Sequence, residues 1–317
     1  MAALAAKAGH DVEVTARGDH LAAIQAGGIR LSGGWGDFVA DVEAGETLTR
    51  APELAIVATK APDARAAILG NARLLDGRPV VVVQNGLGAI SGTKPLLPRS
   101  DILGGLALYA TSLVEPGHIA ITTPGPTFLG GGGDLPSRYV LSVLEPVMPT
   151  RLVGNFVGAQ WTKLVVNQVN ALPAITGMSV QEVIATPALR RILTLSMREN
   201  VTIGRRSGIR FESLQGLSNS RLRLFERAPL RLAEGLPGLM ARRMGATPNP
   251  GSTLQSIRRG SRTEIDYLNG AVVDAATQLG TDAPVNAVLV TLVHEVEQTG
   301  TFLSAGEVVA RVQSLVQ

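Results

Sequence analysis

A chain of 317 residues with 45% hydrophobic content has enough apolar material for two ordinary domains, which excludes a natively unfolded polypeptide. The absence of cysteine excludes disulfides, thiolate nucleophiles and cysteine-held metal, and it favours a reducing compartment such as the cytoplasm. Four scattered histidines and a net charge of only +3 argue against a histidine metal site and against a nucleic-acid surface.

Residues 2–8 are strong helix formers, and the N-terminus lacks the basic stretch and long apolar core of a signal peptide. Gly9 stands where a helix-ending glycine belongs, and residues 11–16 then alternate polar and apolar as a strand does. A helix over 19–26, two short β segments between 28 and 42, an apolar strand at 53–59, a helix at 61–75 and a second buried strand at 79–84 follow. Further strands are predicted at 101–108, 118–122 and 126–130, then a helix near 136–147 and a closing strand at 150–153. Short apolar strands alternating with helices predict a parallel, doubly wound sheet covered on both faces. Beyond residue 156 the pattern turns to long amphipathic helices, so the predicted boundary separates an α/β domain, 1–154, from a helical domain, 155–317. Within the latter, the glycine- and proline-punctuated stretch 230–252 reads as a connection. The most apolar uncharged run, 164–181, is broken by Asn167, Asn170, Pro173 and Gly177, and no membrane span is expected there.

Ligands of open α/β sheets sit beyond the carboxyl ends of the strands, which directs attention to three loops. In Ala16-Arg17-Gly18-Asp19, after the strand that would be second in a dinucleotide fold, a cation stands where NAD-binding chains place an acid. Arg17 therefore points to the extra phosphate of NADP, against the plainer reading of a solvated arginine. Ala58-Thr59-Lys60 sets a lysine at the mouth of the sheet. Gln84-Asn85-Gly86-Leu87-Gly88 offers an amide at Asn85 among small residues that let a ligand approach, although Asn-Gly also suits a bare turn.

In the helical part, Lys163 and Asn167 lie four apart and share a helix face, with Asn170 close by. Buried polar groups of this kind need partners, which a substrate or an internal hydrogen-bond network could equally supply. A second cluster runs from Asn249 and Ser252 to Arg262, Glu264, Asp266 and Asn269, and by itself it reads as a polar loop leading into a helix.

Taken together, Gln84-Asn-Gly-Leu-Gly88, Lys163-Leu-Val-Val-Asn167 and Arg262-Thr-Glu-Ile-Asp-Tyr-Leu-Asn-Gly270 resemble the ketopantoate reductase family in order and spacing, from about residue 4 onward. The resemblance implies a Rossmann-type doubly wound sheet followed by an all-α C-terminal domain of the 6-phosphogluconate-dehydrogenase-like type. It implies an NADP-dependent oxidoreductase acting on CH–OH groups, which reduces 2-dehydropantoate to pantoate in the pathway to pantothenate and coenzyme A. Lys163 falls on the family's proton donor. Arg17, Lys60, Asn85, Thr111 and Glu264 fall on cofactor-binding positions, and Asn85, Asn167, Asn170, Asn249 and Ser252 on substrate-binding ones. No metal, nucleic acid or membrane is implied, and the protein partner it allows is a second copy of the chain.

Three departures from the family pattern stand out. Asn170 follows Lys163 by seven residues where the family's asparagine follows by eight; Ser256 replaces a common acidic residue; and no asparagine stands near Ser179. The first helix is not preceded by the strand and Gly-x-Gly-x-x-Gly turn that receive a pyrophosphate, so roughly fifteen to twenty residues of the family pattern are expected to be missing at the front. The run Gly130–Gly133 follows a late strand and does not replace that turn. Two alternatives remain beside the leading one: a reductase of the same mechanism acting on another 2-oxo acid, and a catalytically silent paralogue that keeps the helical domain as an interaction module.

Overall fold

The computed structural model describes residues 1–245 and 247–316. They form two compact units: residues 1–84 with 88–156, and residues 85–87 with 157–317.

The first unit opens with α1 (Ala2–Lys7), β1 (Glu13–Thr15), α2 (Gly18–Gly27), β2 (Ile29–Gly33), β3 (Phe38–Ala40) and β4 (Glu43–Gly45). It continues with β5 (Ala55–Val57), α3 (Ala61–Leu75), β6 (Val80–Val83), α4 (Ala89–Thr93) and β7 (Ile102–Ala107). The hairpin β8 (Ala110–Glu115) and β9 (His118–Thr123), then β10 (Thr127–Gly130), α5 (Asp134–Leu144) and β11 (Thr150–Leu152) complete it. β5, β6 and β7 run parallel in a five-stranded sheet of order β11-β10-β7-β6-β5. The period of two decides what each face of β6 meets: Val80 and Val82 pack with Ile68 and Leu75 of α3, and Val81 packs with Val140 and Leu144 of α5. A strand buried on both faces in this way has no room for polar residues, and hence reads as an unbroken valine run.

The expectation of an α/β Rossmann-like sheet is met, with three corrections of detail. β10 runs antiparallel to β7, because the chain between them forms the β8–β9 hairpin and supplies no crossover helix to bring it round in parallel. β8 was not foreseen, since five of its six residues are exposed and it lacks an apolar alternation. The sheet is also divided. Among the described residues β1 pairs with β4 and β5 pairs with β6, while β3, β2, β9 and β8 make a separate four-stranded sheet; no strand lies paired between β1 and β5.

The second unit is helical: α6 (Phe156–Asn167), α7 (Ala171–Thr176), α8 (Val180–Ala185), α9 (Pro187–Arg206), α10 (Asn219–Arg227), α11 (Leu230–Ala233), α12 (Gly235–Met244), α13 (Gly251–Arg258), α14 (Asn269–Gln278), α15 (Pro284–Thr299) and α16 (Ala305–Val316). α9 is its axis, burying Leu189, Leu193, Met197 and Val201 completely. Gly204 lets α6 come close, since a Cβ there would lie 2.8 Å from the Trp161 ring and 2.9 Å from Phe211. The stretch 230–252, read from sequence as a connection, contains α11, α12 and the start of α13. Its proline at 237 falls in the first turn of α12, where the missing N–H has no helical acceptor and the helix is not broken.

In the first unit, Phe156 packs against the glycines of the five-stranded sheet, and a Cβ on Gly104 would stand 2.1 Å from its ring. Gly104→Ala should therefore cost about 1–3 kcal/mol of stability by overpacking. Gly92→Ala, in α4 with open space around it, should be neutral or slightly stabilising. Urea denaturation of both variants checks the pair, and equal midpoints would show that Phe156 moves aside without cost.

Candidate active site

α6 forms because Leu164 and Val165 bury one side of it, and because the hydroxyl of Thr162, itself buried, donates to the carbonyls of Gly158 and Glu212 at 2.8 Å each. Lys163 follows Thr162 and is partly buried. Loss of hydration brings its ammonium down from 10.5 to about 8, and the charge of Glu264 opposes that shift. The helix then tightens: α6 ends at Asn167 and a 3₁₀ turn covers Gln168–Asn170. Residues three apart eclipse in a 3₁₀ turn, so Asn170 stays near the line of Asn167 although it comes one position earlier than in the family pattern.

Glu264 sits just ahead of a second 3₁₀ turn, Ile265–Tyr267, which leads into α14. The loop after β6 meets it there. Asn85 Nδ2 points to Glu264 Oε2 at 3.5 Å, and Gln160 of α6 donates to the Gly86 carbonyl at 3.4 Å. Gly86 has φ +82°, and a Cβ on it would fall 2.0 Å from the Tyr267 carbonyl oxygen. The glycine that the sequence suggested for close approach of a ligand is needed for close approach of this backbone.

A buried hydrogen-bond network fixes the two segments against each other. Gln168, five residues after Lys163, accepts from Asn269, five residues after Glu264, at 2.6 Å. Ser196 of α9 donates to Gln168 at 2.7 Å and to Asn286 of α15 at 3.0 Å, and Asn286 in turn donates to Glu199 at 2.7 Å. Desolvation raises the Glu199 carboxyl above its ordinary value, against the hydrogen bonds it accepts from Asn286 and Val285. The sequence singled out Asn269 among these groups, but not Gln168, Ser196, Glu199 or Asn286. Gln168 and Ser196 lie within helical patterns where their spacing carries no signal beyond a polar residue on an apolar face.

The residues implied as substrate-binding divide by what the structure has them do. Asn170 Oδ1 accepts from the backbone N–H of Ser252 at 3.2 Å, and Gly251, with φ +72°, leaves room for it, since a Cβ there would stand 2.8 Å from that oxygen. Asn170 and Ser252 are thus adjacent, with the Ser252 side exposed and Asn167 partly buried. Asn249 spends its side-chain oxygen on the Gly251 N–H at 2.9 Å, a turn that starts α13.

Arg17, Lys60 and Thr111 belong to the first unit. Arg17 is exposed between β1 and α2, and among the described residues no carboxylate pairs with it. Lys60 precedes α3 at the carboxyl end of β5. There Gln84 donates to the Thr59 carbonyl at 2.9 Å, and the buried Thr59 hydroxyl has no hydrogen-bond partner. Thr111 is exposed on β8, the outer strand of the four-stranded sheet. Among the described residues no group of side chains is placed to hold a metal ion, and no helix is long and apolar enough to cross a membrane.

Comparison with known proteins agrees along most of the chain. Residues 1–133 match the family described as ketopantoate reductase PanE/ApbA, and residues 155–297 match its C-terminal domain. A 2-dehydropantoate 2-reductase of Archaeoglobus fulgidus is 29% identical over 305 residues, spanning 93% of this chain and 92% of that one. The crystal structure of a PanE/ApbA family ketopantoate reductase from Ralstonia eutropha superposes with a TM-score of 0.78 at 26% identity, covering 94% of both chains. D-mandelate dehydrogenase, solved with NADH and anilino(oxo)acetate, shares the fold with a TM-score of 0.78 at 18% identity, again over 94% of both chains. The chain therefore belongs to the ketopantoate reductase family.

Proposed function

We propose that the protein reduces the keto carbon of a 2-oxo acid with hydride from NADPH, that the acid is 2-dehydropantoate, and that it does so in the cytoplasm as a step toward pantothenate and coenzyme A. One observation carries this reading: a single compact unit holds together a lysine ammonium brought down to about 8, the Glu264 carboxylate and the Asn85 amide. A general acid works best when its pKa lies near the operating pH. Lys163 is then charged at neutral pH yet ready to give up its proton.

The residues present suit a phosphorylated dinucleotide at two points. Among the described residues, Arg17 offers a guanidinium without a carboxylate partner beyond β1, and the Thr59 hydroxyl is a buried polar atom short of a partner at the carboxyl end of β5. NADPH, when bound, supplies the hydride. Lys163 holds a proton at Nζ and donates it to the carbonyl oxygen as negative charge builds there, an effect of about 10²–10⁴-fold for general acids. Glu264 offsets the desolvation of Lys163 and so keeps it protonated. Lys60, Thr111, Asn85 and Glu264 would serve the nicotinamide-ribose end. Asn167, Asn170 and Ser252 would orient the substrate's hydroxyl and carboxylate, with Asn249 contributing through its side-chain nitrogen.

The first test is oxidation of NADPH against a panel of 2-oxo acids. The highest kcat/KM should belong to ketopantoate; a better acid would keep the mechanism and change the substrate, while inactivity with every acid would leave the silent paralogue. Arg17→Ala should raise the KM for NADPH about tenfold, the scale of a lost charge-assisted hydrogen bond, and leave that for NADH nearly unchanged. Equal losses with both cofactors would remove the case for NADP.

The pH dependence has a definite sign. Lys163 must be protonated to act, so kcat/KM should hold steady up to about pH 8 and fall above it. Lys163→Met should lower kcat at least about a hundredfold and abolish that alkaline fall. Stability moves the other way: with the folded value lowered, the unfolded chain binds the extra proton between about 8 and 10.5, and the wild type should become more stable across that interval relative to Lys163→Met. Parallel pH profiles of activity and of melting temperature check both statements.

A further inference from the structure

Glu264 stands at the head of a single 3₁₀ turn, and both of its flanks are tied to one helix, on one side through Glu297 and on the other through His294, which also bonds Glu297. On the near side, the Thr263 N–H donates to Glu297 Oε1 of α15 at 2.8 Å. On the far side, Asp266 Oδ1 lies 2.8 Å from His294 Nε2 of the same helix. His294 Nδ1 closes the chain at 2.8 Å from Glu297 Oε2. Thr263 Oγ1 adds a local bond by accepting from the Ile265 N–H at 3.3 Å.

The chemistry of this arrangement fixes the state of the ring. Ionised carboxylates only accept hydrogen bonds, and a neutral imidazole has a single N–H to give. Two contacts of 2.8 Å to two carboxylates require both ring nitrogens to donate, which is the imidazolium form. In the neutral form one contact would set two lone pairs against each other and would open.

We infer that His294, as imidazolium, is a positioning residue for Glu264: it clips both ends of the turn that carries Glu264 onto α15, so that the placement of Glu264 beside Asn85 and in the field of Lys163 follows the charge on His294. Its bearing on catalysis rests on the roles proposed above for Lys163 and Glu264; the clip itself does not.

The groups around α15 leave Asp266 and Glu297 as the ones that act on His294. α7 carries no ionisable side chain, and α9 presents Glu199 to the opposite end of α15, at Val285 and Asn286. Arg311 of α16 pairs with Glu295, and Glu307 of α16 accepts from Ser304. α14 contributes Asp274, and Arg259 and Arg262 precede the turn in the chain. Burial lowers His294, but the hydrogen bonds and charges of Glu297 and Asp266 outweigh it and the net direction is upward. Glu297 is lowered by its bonds to Thr263 and His294 in spite of its own desolvation. Because the folded histidine value is raised, the clip is fully formed below the ordinary histidine pKa and is lost as pH rises through the raised value.

The experiment is an NMR titration of the His294 ring with amide hydrogen exchange of residues 263–268 followed across the same pH range, in the whole chain and in His294→Gln, which carries no charge and has both its donors on one nitrogen. In the wild type the ring should titrate above the ordinary histidine value. Protection of the turn, corrected for intrinsic exchange, should fall about two- to fivefold through that titration, the scale of a partly exposed ion pair. His294→Gln should show the lower protection at every pH, and Asp266→Asn should loosen residues 266–268 while Thr263 stays protected. Normal protection in folded His294→Gln, or a ring that titrates at or below the ordinary value, overturns the clip whatever the activity. A clip that behaves as described in a protein without reductase activity leaves this inference standing and removes the proposed function instead.

Discussion

Taking the Lys163 ammonium out of water is the constraint around which the second unit is organised. A charge in that position is destabilised unless an opposite charge is held near it, and Glu264 is the one that opposes its shift. Glu264 comes from a part of the chain a hundred residues later and stands at the head of a single 3₁₀ turn, which the fold also holds from outside. It does so in three places. The Gly86 backbone presses on the Tyr267 carbonyl, the Gln168–Asn269 hydrogen bond ties the lysine helix to the start of α14, and the His294–Glu297 pair grips the turn from α15.

The hydrogen-bond network behind the site is more exacting than an apolar core would be. Gln168, Ser196, Asn269 and Asn286 are all fully buried and bond one another, with Asn269 Oδ1 left without a partner among the described residues. Apolar side chains slide past one another at small cost, whereas a buried amide displaced from its acceptor leaves a penalty of about 1–3 kcal/mol. The network therefore sets the register of α6, α9, α14 and α15, and with it the reach between Lys163 and Glu264.

The first unit answers to a different rule. Its parallel strands are buried on both faces, and the lines along which they end decide where polar side chains can surface. Arg17, Lys60 and Thr59 all come directly after strands for that reason. The tight seat of Phe156 on Gly104 and Gly130 shows how small residues within the sheet take up an aromatic ring that a side chain would exclude.

Much of the architecture was legible in the residues. The alternation at 11–16 and the amphipathic helices after 156 carry the periods of strand and helix, and the short β-branched run at 80–83 marks a buried strand, so the fold class followed directly. Candidate chemistry was legible as well, because a lysine and amides on an apolar helix are costly unless used, and Arg17 follows a strand end, where a ligand of an open α/β sheet is expected. What the sequence could not decide were relations between distant segments. The antiparallel entry of β10, the outer strand β8, the division of the sheet between β1 and β5 and the helices within 230–252 depend on which partner a segment finds, and local patterns do not encode partners. The same holds for the site. That Asn249 turns the chain into α13, that Gly86 makes way for Tyr267 and that Asn170 meets the Ser252 N–H are outcomes of packing. Composition and spacing by themselves determined which groups this protein has for its chemistry; tertiary structure decided which of them meet, because hydrogen bonds and charges act over a few ångströms that only the folded chain can bring about.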